Sequence, residues 1–172
     1  VGAGVTHVAV GDRVMAMGQG AFGSHLTTSA HSVYRIPAGM SFAEAASIPV
    51  AFMTAYYGLH ELARIREGDR VLIHAAAGGV GLAAVQLALR AGAEVFGTAG
   101  SPEKREYLKS IGVHHVFNSR TLDFADEIME VTGGRGVDIV LNSLADEFIP
   151  RSLGVLADHG RFLEIGKRGV WT

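Results

Sequence analysis

The 172-residue chain contains no cysteine. That absence removes disulfides, thiolate nucleophiles and every cysteine-ligated zinc site. There is also no uncharged apolar run of about 18 residues, and no charged segment leading into an apolar one, so neither a membrane span nor a signal peptide is expected. Neither sign of charge dominates, with 15 basic against 17 acidic side chains and no long run of either. A chain so balanced offers no electrostatic footprint for nucleic acid or an anionic membrane, and a cytoplasmic role on a small molecule fits better. Of eight histidines only His114 and His115 are adjacent. Successive strand residues point to opposite faces, so no metal site is expected.

What is present is a large apolar share, 48% of residues, enough for one sizeable core. The first forty residues carry short β-like runs, Asp12 to Met17 and Ser24 to Thr28, separated by glycines and closed by Pro37-Ala38-Gly39. They read as the tail of an all-β domain, residues 1–40. From Ser41 the period changes. Ser41 and Glu44 form a capping box, Pro49 should end a short helix, and a second helix should run from Ala51 to Ala63. Strands and helices then alternate: strand Arg70 to His74, helix Gly79 to Ala91, strand Glu94 to Thr98, helix Pro102 to Ser110, strand His115 to Phe117, helix Leu122 to Val131. Strand Val137 to Leu141, helix Ala145 to Leu156 and strand Arg161 to Ile165 complete the series. Such βαβ units predict an α/β fold, a Rossmann-like doubly wound parallel sheet over residues 41–172. Gly92, Gly112 and Gly160 fall where helix ends or tight turns call for positive φ. The chain starts and stops in what reads as running sequence, so a fragment boundary is expected at both ends.

The most informative segment is Val71-Leu72-Ile73-His74-Ala75-Ala76-Ala77-Gly78-Gly79-Val80-Gly81. A strand that turns through glycines into a helix sets bare backbone N–H groups and the positive helix end where a pyrophosphate would sit. Against G-x-G-x-x-G the pattern is Ala76-x-Gly78-x-x-Gly81, with alanine in place of the first glycine. The plainer alternative is that these glycines only permit close packing of helix on strand. The second strand ends Thr98-Ala99-Gly100-Ser101 without the acid that accepts from a ribose 2′-hydroxyl in NAD sites. Ser101, Lys104 and Arg105 stand there instead, with Arg120 after the third strand, and a hydroxyl with cations suits a 2′-phosphate. A solvated first helical turn capped by Ser101 would look the same. NADPH is therefore the expected cofactor. Asn142 and Ser143, at the carboxyl end of the fourth strand, are candidate ribose or nicotinamide contacts, and Gly166 suits a close backbone approach. Tyr56 and Tyr57 are assigned no acid role, and no histidine a catalytic one.

These residues resemble the medium-chain dehydrogenase/reductase superfamily. The loop His74 to Gly81 is similar to that of its zinc-free, quinone-oxidoreductase-like branch. The strings Gly100-Ser101-Pro102-Glu103-Lys104-Arg105, Gly134 to Leu144 and Gly160 to Lys167 resemble enoyl reductase domains of modular polyketide synthases and animal-type fatty acid synthase. The likeness spans about Gly11 to Arg168. It implies that the leading segment is the tail of a GroES-like catalytic domain. It also implies NADPH-dependent reduction of an enoyl thioester on an acyl carrier protein, with hydride going to the β-carbon and a proton to the α-carbon. By the same resemblance Lys167 is a proton donor near the nicotinamide and Thr54 contacts the nicotinamide end. The family's partner aspartate and its alternative tyrosine donor fall outside these 172 residues. Neighbouring domains of a multienzyme are implied as partners, and a homodimer is left open. A free-standing NADPH quinone or alkenal oxidoreductase remains an alternative, as does a cofactor-binding module without catalysis.

Overall fold

The computed structural model describes residues 1–167; the last five residues of the expected nucleotide domain, and the Arg168 end of the resemblance, lie outside the described residues. Two compact units divide between Met53 and Thr54. The first holds an antiparallel pair, β1 (Val14–Ala16) and β2 (Val33–Arg35), with Val14 opposite Arg35 and Ala16 opposite Val33. Ser24 to Thr28, expected as a strand, is not one. The pairing goes to Val33–Arg35, where the Arg35 guanidinium meets the Asp12 carboxylate at 2.9 Å. Asp12 also accepts from the Ala9 amide, which fixes the turn into β1.

Helix α1 runs from Phe42 to Tyr56 without a break, so Pro49 lies inside it rather than at its end. Ala45 and Ala55, on either side of the proline, are fully buried, and that burial carries the helix past the missing donor. The capping box forms as expected. The Ser41 amide donates to Glu44 Oε2 at 2.7 Å and the Glu44 amide to Ser41 Oγ at 3.2 Å. The bonds from Ser41 hold the Glu44 carboxyl below its ordinary range. In place of the expected second helix, Tyr57–Leu62 is a single π-helical turn.

The second unit is a five-stranded parallel sheet, β3 (Arg70–Ile73), β4 (Glu94–Ala99), β5 (His115–Asn118), β6 (Val137–Asn142) and β7 (Leu156–Glu164), in the spatial order β5-β4-β3-β6-β7. Its helices are α2 (Gly79–Arg90), α3 (Pro102–Ser110), α4 (Phe124–Val131) and α5 (Phe148–Leu153). Side chains alternate across the sheet. Leu72, Phe96 and Val140 point to a cluster completed by Phe124 and Ile128 of α4. On the other face Gly97 lies against Leu108 of α3, and Leu141 and Leu163 against Gly58 of the π-turn. This is the doubly wound, Rossmann-like arrangement expected.

The last helix and strand differ from the sequence reading. Helix α5 is shorter and β7 starts earlier, at Leu156, because the Val137 amide takes the Val155 carbonyl. The register then shifts between Val137 and Ile139, which pair with Leu156 and Arg161. Gly92 and Gly112 have positive φ as expected, but near the bulge His159 takes it and Gly160 does not. Gly160 instead provides room: a Cβ there would lie 2.8 Å from the Leu156 side chain.

Candidate functional site

Order β5-β4-β3-β6-β7 reverses direction at β3, so the carboxyl ends of β3 and β6 flank a crevice of the kind that receives ligands in open α/β sheets. A cavity of about 210 Å³ opens there, lined among others by Ala75, Gly78, Gly100, Lys104, Ser119 and Arg120.

The glycine loop divides into a structural half and an open half. The Ala76 amide donates to the Thr98 carbonyl at 2.9 Å and the Gly78 amide to the Ala75 carbonyl at 2.8 Å. Both were expected to help cradle a pyrophosphate, and neither amide is available for it. Ala76 is also fully buried. The first helical donor in α2 is the Leu82 amide, bonded to Gly78 O at 2.8 Å. The amides of Gly79, Val80 and Gly81 therefore precede the ladder, as the first amides of any helix do, and are left without an intrahelical acceptor. Gly79 has no atom within 4 Å of where a Cβ would stand, so a ligand can approach its backbone. At Gly81 a Cβ would collide with Ala75 O and lie 2.7 Å from Ala76 Cα, so this glycine does permit the close packing of helix on strand.

The cations sort differently from the sequence order. Arg105 turns its guanidinium back on the β4–α3 turn, donating to the Ala99 and Gly100 carbonyls at 3.3 and 3.2 Å. It braces the turn and does not line the crevice. Ser101 Oγ caps α3 by accepting from the Lys104 amide at 3.4 Å. Its hydroxyl, followed by the helix-end amide, holds the Glu103 carboxyl below its ordinary range. Lys104 and Arg120 do line the crevice, and neither has an acidic partner among the described residues. Arg120 lies flat on Gly100, where a Cβ would come 2.6 Å from its Nε.

At the ends of β6 and β7, Asn142 pairs in register with Glu164. The Asn142 side chain, fully buried, donates to Glu164 Oε2 at 2.6 Å and to the Leu144 carbonyl at 2.8 Å, and accepts from the Leu144 amide. It is spent on shaping this loop, so its side-chain N–H groups are not available for the expected ribose or nicotinamide contact. Ser143 Oγ is buried and has no hydrogen-bond partner among the described residues. Glu164 Oε1 accepts from the Gly166 amide at 2.5 Å, which brings Gly166 beside the Ser143 backbone. Lys167 follows, exposed. Thr54 is half-buried near the end of α1, and Tyr56, exposed, stacks on His60 at 4.7 Å.

Sequence reasoning missed Glu164, which ties two strand ends, and Gly100, which seats Arg120. It also missed a buried polar chain. His74 sits 3.0 Å from Thr98 Oγ1 and 2.7 Å from Ser152 Oγ, with Phe124 edge-on to its ring. The available signal was a histidine and a threonine at the ends of otherwise apolar strands.

The family model described as zinc-binding dehydrogenase matches residues 79–170. The chain belongs to that family. Among curated relatives it is 52% identical, over its whole length and 8% of the relative's, to a phenolphthiocerol/phthiocerol polyketide synthase of Mycobacterium tuberculosis. Among solved structures, the CurK enoyl reductase is 62% identical with a TM-score of 0.83, covering 86% of this chain and 44% of that one. The nucleotide-binding subdomain of the enoylreductase domain of PpsC from M. tuberculosis is 55% identical with a TM-score of 0.69, covering 71% and 68%. The chain is thus similar to part of each of these proteins, and it spans under half the length of the CurK structure. The family's description names zinc, but the donors here do not fit that ion: cysteine is absent, and among the described residues no three His, Asp or Glu side chains converge. No helix among them is long and apolar enough to cross a membrane.

Proposed function

We propose that the chain is the nucleotide-binding part of an NADPH-dependent enoyl reductase acting on an enoyl thioester carried by an acyl carrier protein within a polyketide synthase. The observation that carries this reading is one crevice lined by the cations Lys104 and Arg120, without acidic partners among the described residues, and by Ala77 and Gly78, which lead directly into α2. The three amides that open α2, at Gly79, Val80 and Gly81, precede its hydrogen-bond ladder and are the other kind of phosphate donor beside it. No carboxylate among the described residues lines it. A carboxylate would accept from a ribose 2′-hydroxyl and repel a 2′-phosphate, so this lining favours NADPH over NADH.

The reduced nicotinamide, when bound, supplies hydride to the β-carbon of the double bond. The chain's own residues do the rest. The amides of Gly79 to Gly81 hold the pyrophosphate, and Lys104 and Arg120 hold the 2′-phosphate. Thr54, Ser143 and Gly166 orient the nicotinamide end. Ser143 Oγ, buried and unpaired among the described residues, is suited to a ligand amide, since a buried hydroxyl left without a partner is costly. Lys167 delivers the proton that completes reduction at the α-carbon. Neighbouring synthase domains, and a second copy of the enzyme, are its proposed partners.

Calorimetric titration of the chain should show NADPH binding about tenfold or more tighter than NADH, the effect of one charge-assisted phosphate contact. Lys104→Ala and Arg120→Ala should each narrow that preference by about 1 to 2 kcal/mol, whereas Arg105→Ala should lower stability more than preference. Equal affinity for the two cofactors would remove the 2′-phosphate assignment.

A further inference from the structure

One polar cluster near the crevice is used by neither the proposed phosphate contacts nor the proposed proton donor. It is the chain Ala75, Thr98, His74 and Ser152, on the α4–α5 face of the sheet directly beneath the glycine loop. Its protons have one consistent order. Ser152 Oγ lies 2.7 Å from the Phe148 carbonyl, so its single proton goes there and its lone pair faces His74 Nε2. Nε2 must then be the donor. A neutral imidazole has only one N–H, so Nδ1 accepts, and the proton it accepts is that of Thr98 Oγ1 at 3.0 Å. The Thr98 oxygen in turn accepts from the Ala75 amide at 3.3 Å. Four hydrogen bonds thus run in one direction from the first residue of the loop to the backbone of α5.

Ala75 is where the loop departs from the strand, and its φ of +47° lies in the left-handed region that a side chain disfavours. Thr98 holds that departure twice, with its hydroxyl on the Ala75 amide and its carbonyl on the Ala76 amide at 2.9 Å. The Ala75 carbonyl then takes the Gly78 amide, and the next three amides precede the hydrogen-bond ladder of α2. An apolar side chain at 74 would fill the same core. It could not lock the Thr98 hydroxyl in the rotation that leaves its lone pair toward the loop.

We propose that His74 is a positioning residue: as the Nε2–H tautomer it orients the Thr98 hydroxyl, and through it holds Ala75 in the conformation that presents the Gly79 to Gly81 amides to the pyrophosphate. The assignment rests on the reading of that loop as a phosphate cradle. Burial drives the imidazole down to about 4, so it is neutral at ordinary pH, as the proton order requires.

Two measurements test this. In the unaltered chain, the imidazole ¹⁵N shifts of His74 should show protonated Nε2 and bare Nδ1; the opposite tautomer would overturn the proposal without any variant. The second compares NADPH with 2′-AMP, which has the 2′-phosphate and no pyrophosphate, across Thr98→Val and Thr98→Ser. Thr98→Val should weaken NADPH by about tenfold and leave 2′-AMP unchanged, the effect of one lost orienting bond, while Thr98→Ser should restore NADPH affinity. Undiminished NADPH binding in folded Thr98→Val, or parallel loss of both ligands, would sink it. If the unaltered chain binds 2′-AMP but gains nothing from the pyrophosphate of NADPH, the cradle reading itself is wrong and the proposal falls with it.

Discussion

Gly81→Ala is expected to destabilise the second unit by about 3 kcal/mol, seen as a lower urea midpoint at unchanged slope. The added methyl would collide with the Ala75 carbonyl and stand within 3 Å of the Ala76 backbone, atoms that cannot rotate away. To admit it, α2 would have to lift off β3 or the loop would have to give up the left-handed turn at Ala75. Either shift moves the three open amides, so NADPH affinity should fall with stability. Gly79→Ala supplies the contrast two residues earlier, where no atom lies within 4 Å. There alanine should be neutral or stabilising by up to about 1 kcal/mol, because glycine is the poorer helix former. Equal loss in both variants would mean that the glycines matter through backbone freedom and not through close approach.

Acidification should cost the fold about 3 kcal/mol between pH 6.5 and pH 4 through His74 alone. Its folded-state pKa is depressed by burial to about 4 from an ordinary 6.5. Between those values the unfolded chain binds a proton that the native chain refuses, so stability is full above 6.5 and drains away as pH falls toward 4. Glu44, Glu94 and Glu103 are held below the ordinary carboxylate value of 4.5 as well. Their contribution is lost only below that point, which leaves the upper part of the window to histidine. Chemical denaturation at intervals across this range, compared with His74→Gln, separates the two. A variant with the same pH slope as the parent above pH 4.5 would show that His74 is not the source.

The period of the apolar residues is sufficient to read the alternating strands and helices of the second unit, since strands buried on both faces are continuous apolar runs. It fails where long-range pairing decides. Pro49 carries an unambiguous local stop signal, yet the helix continues because residues on both sides of it are buried. Ser24 to Thr28 has strand-like composition, but β1 pairs with Val33–Arg35 instead. The site is legible to the level of residue type and not of use. Gly79, Val80 and Gly81 are identifiable from spacing, as are Lys104 and Arg120. That Ala76, Gly78, Arg105 and Asn142 spend their polar groups within the protein depends on which carbonyl or carboxylate each one meets, and no spacing rule encodes that. His74 stands within the loop motif, but its role is invisible there because its two partners lie 24 and 78 residues away in the chain.

The seat of Arg120 has a further consequence. Because its guanidinium lies on a residue without a side chain, the proposed preference for NADPH would be tunable from a position that makes no ionic contact of its own. A methyl group at Gly100 would evict the flexible arginine tail without straining the backbone, leaving Lys104 as a single grip on the ligand. Relatives that carry a larger residue at that point should be more tolerant of the unphosphorylated dinucleotide while keeping both cations in their sequence.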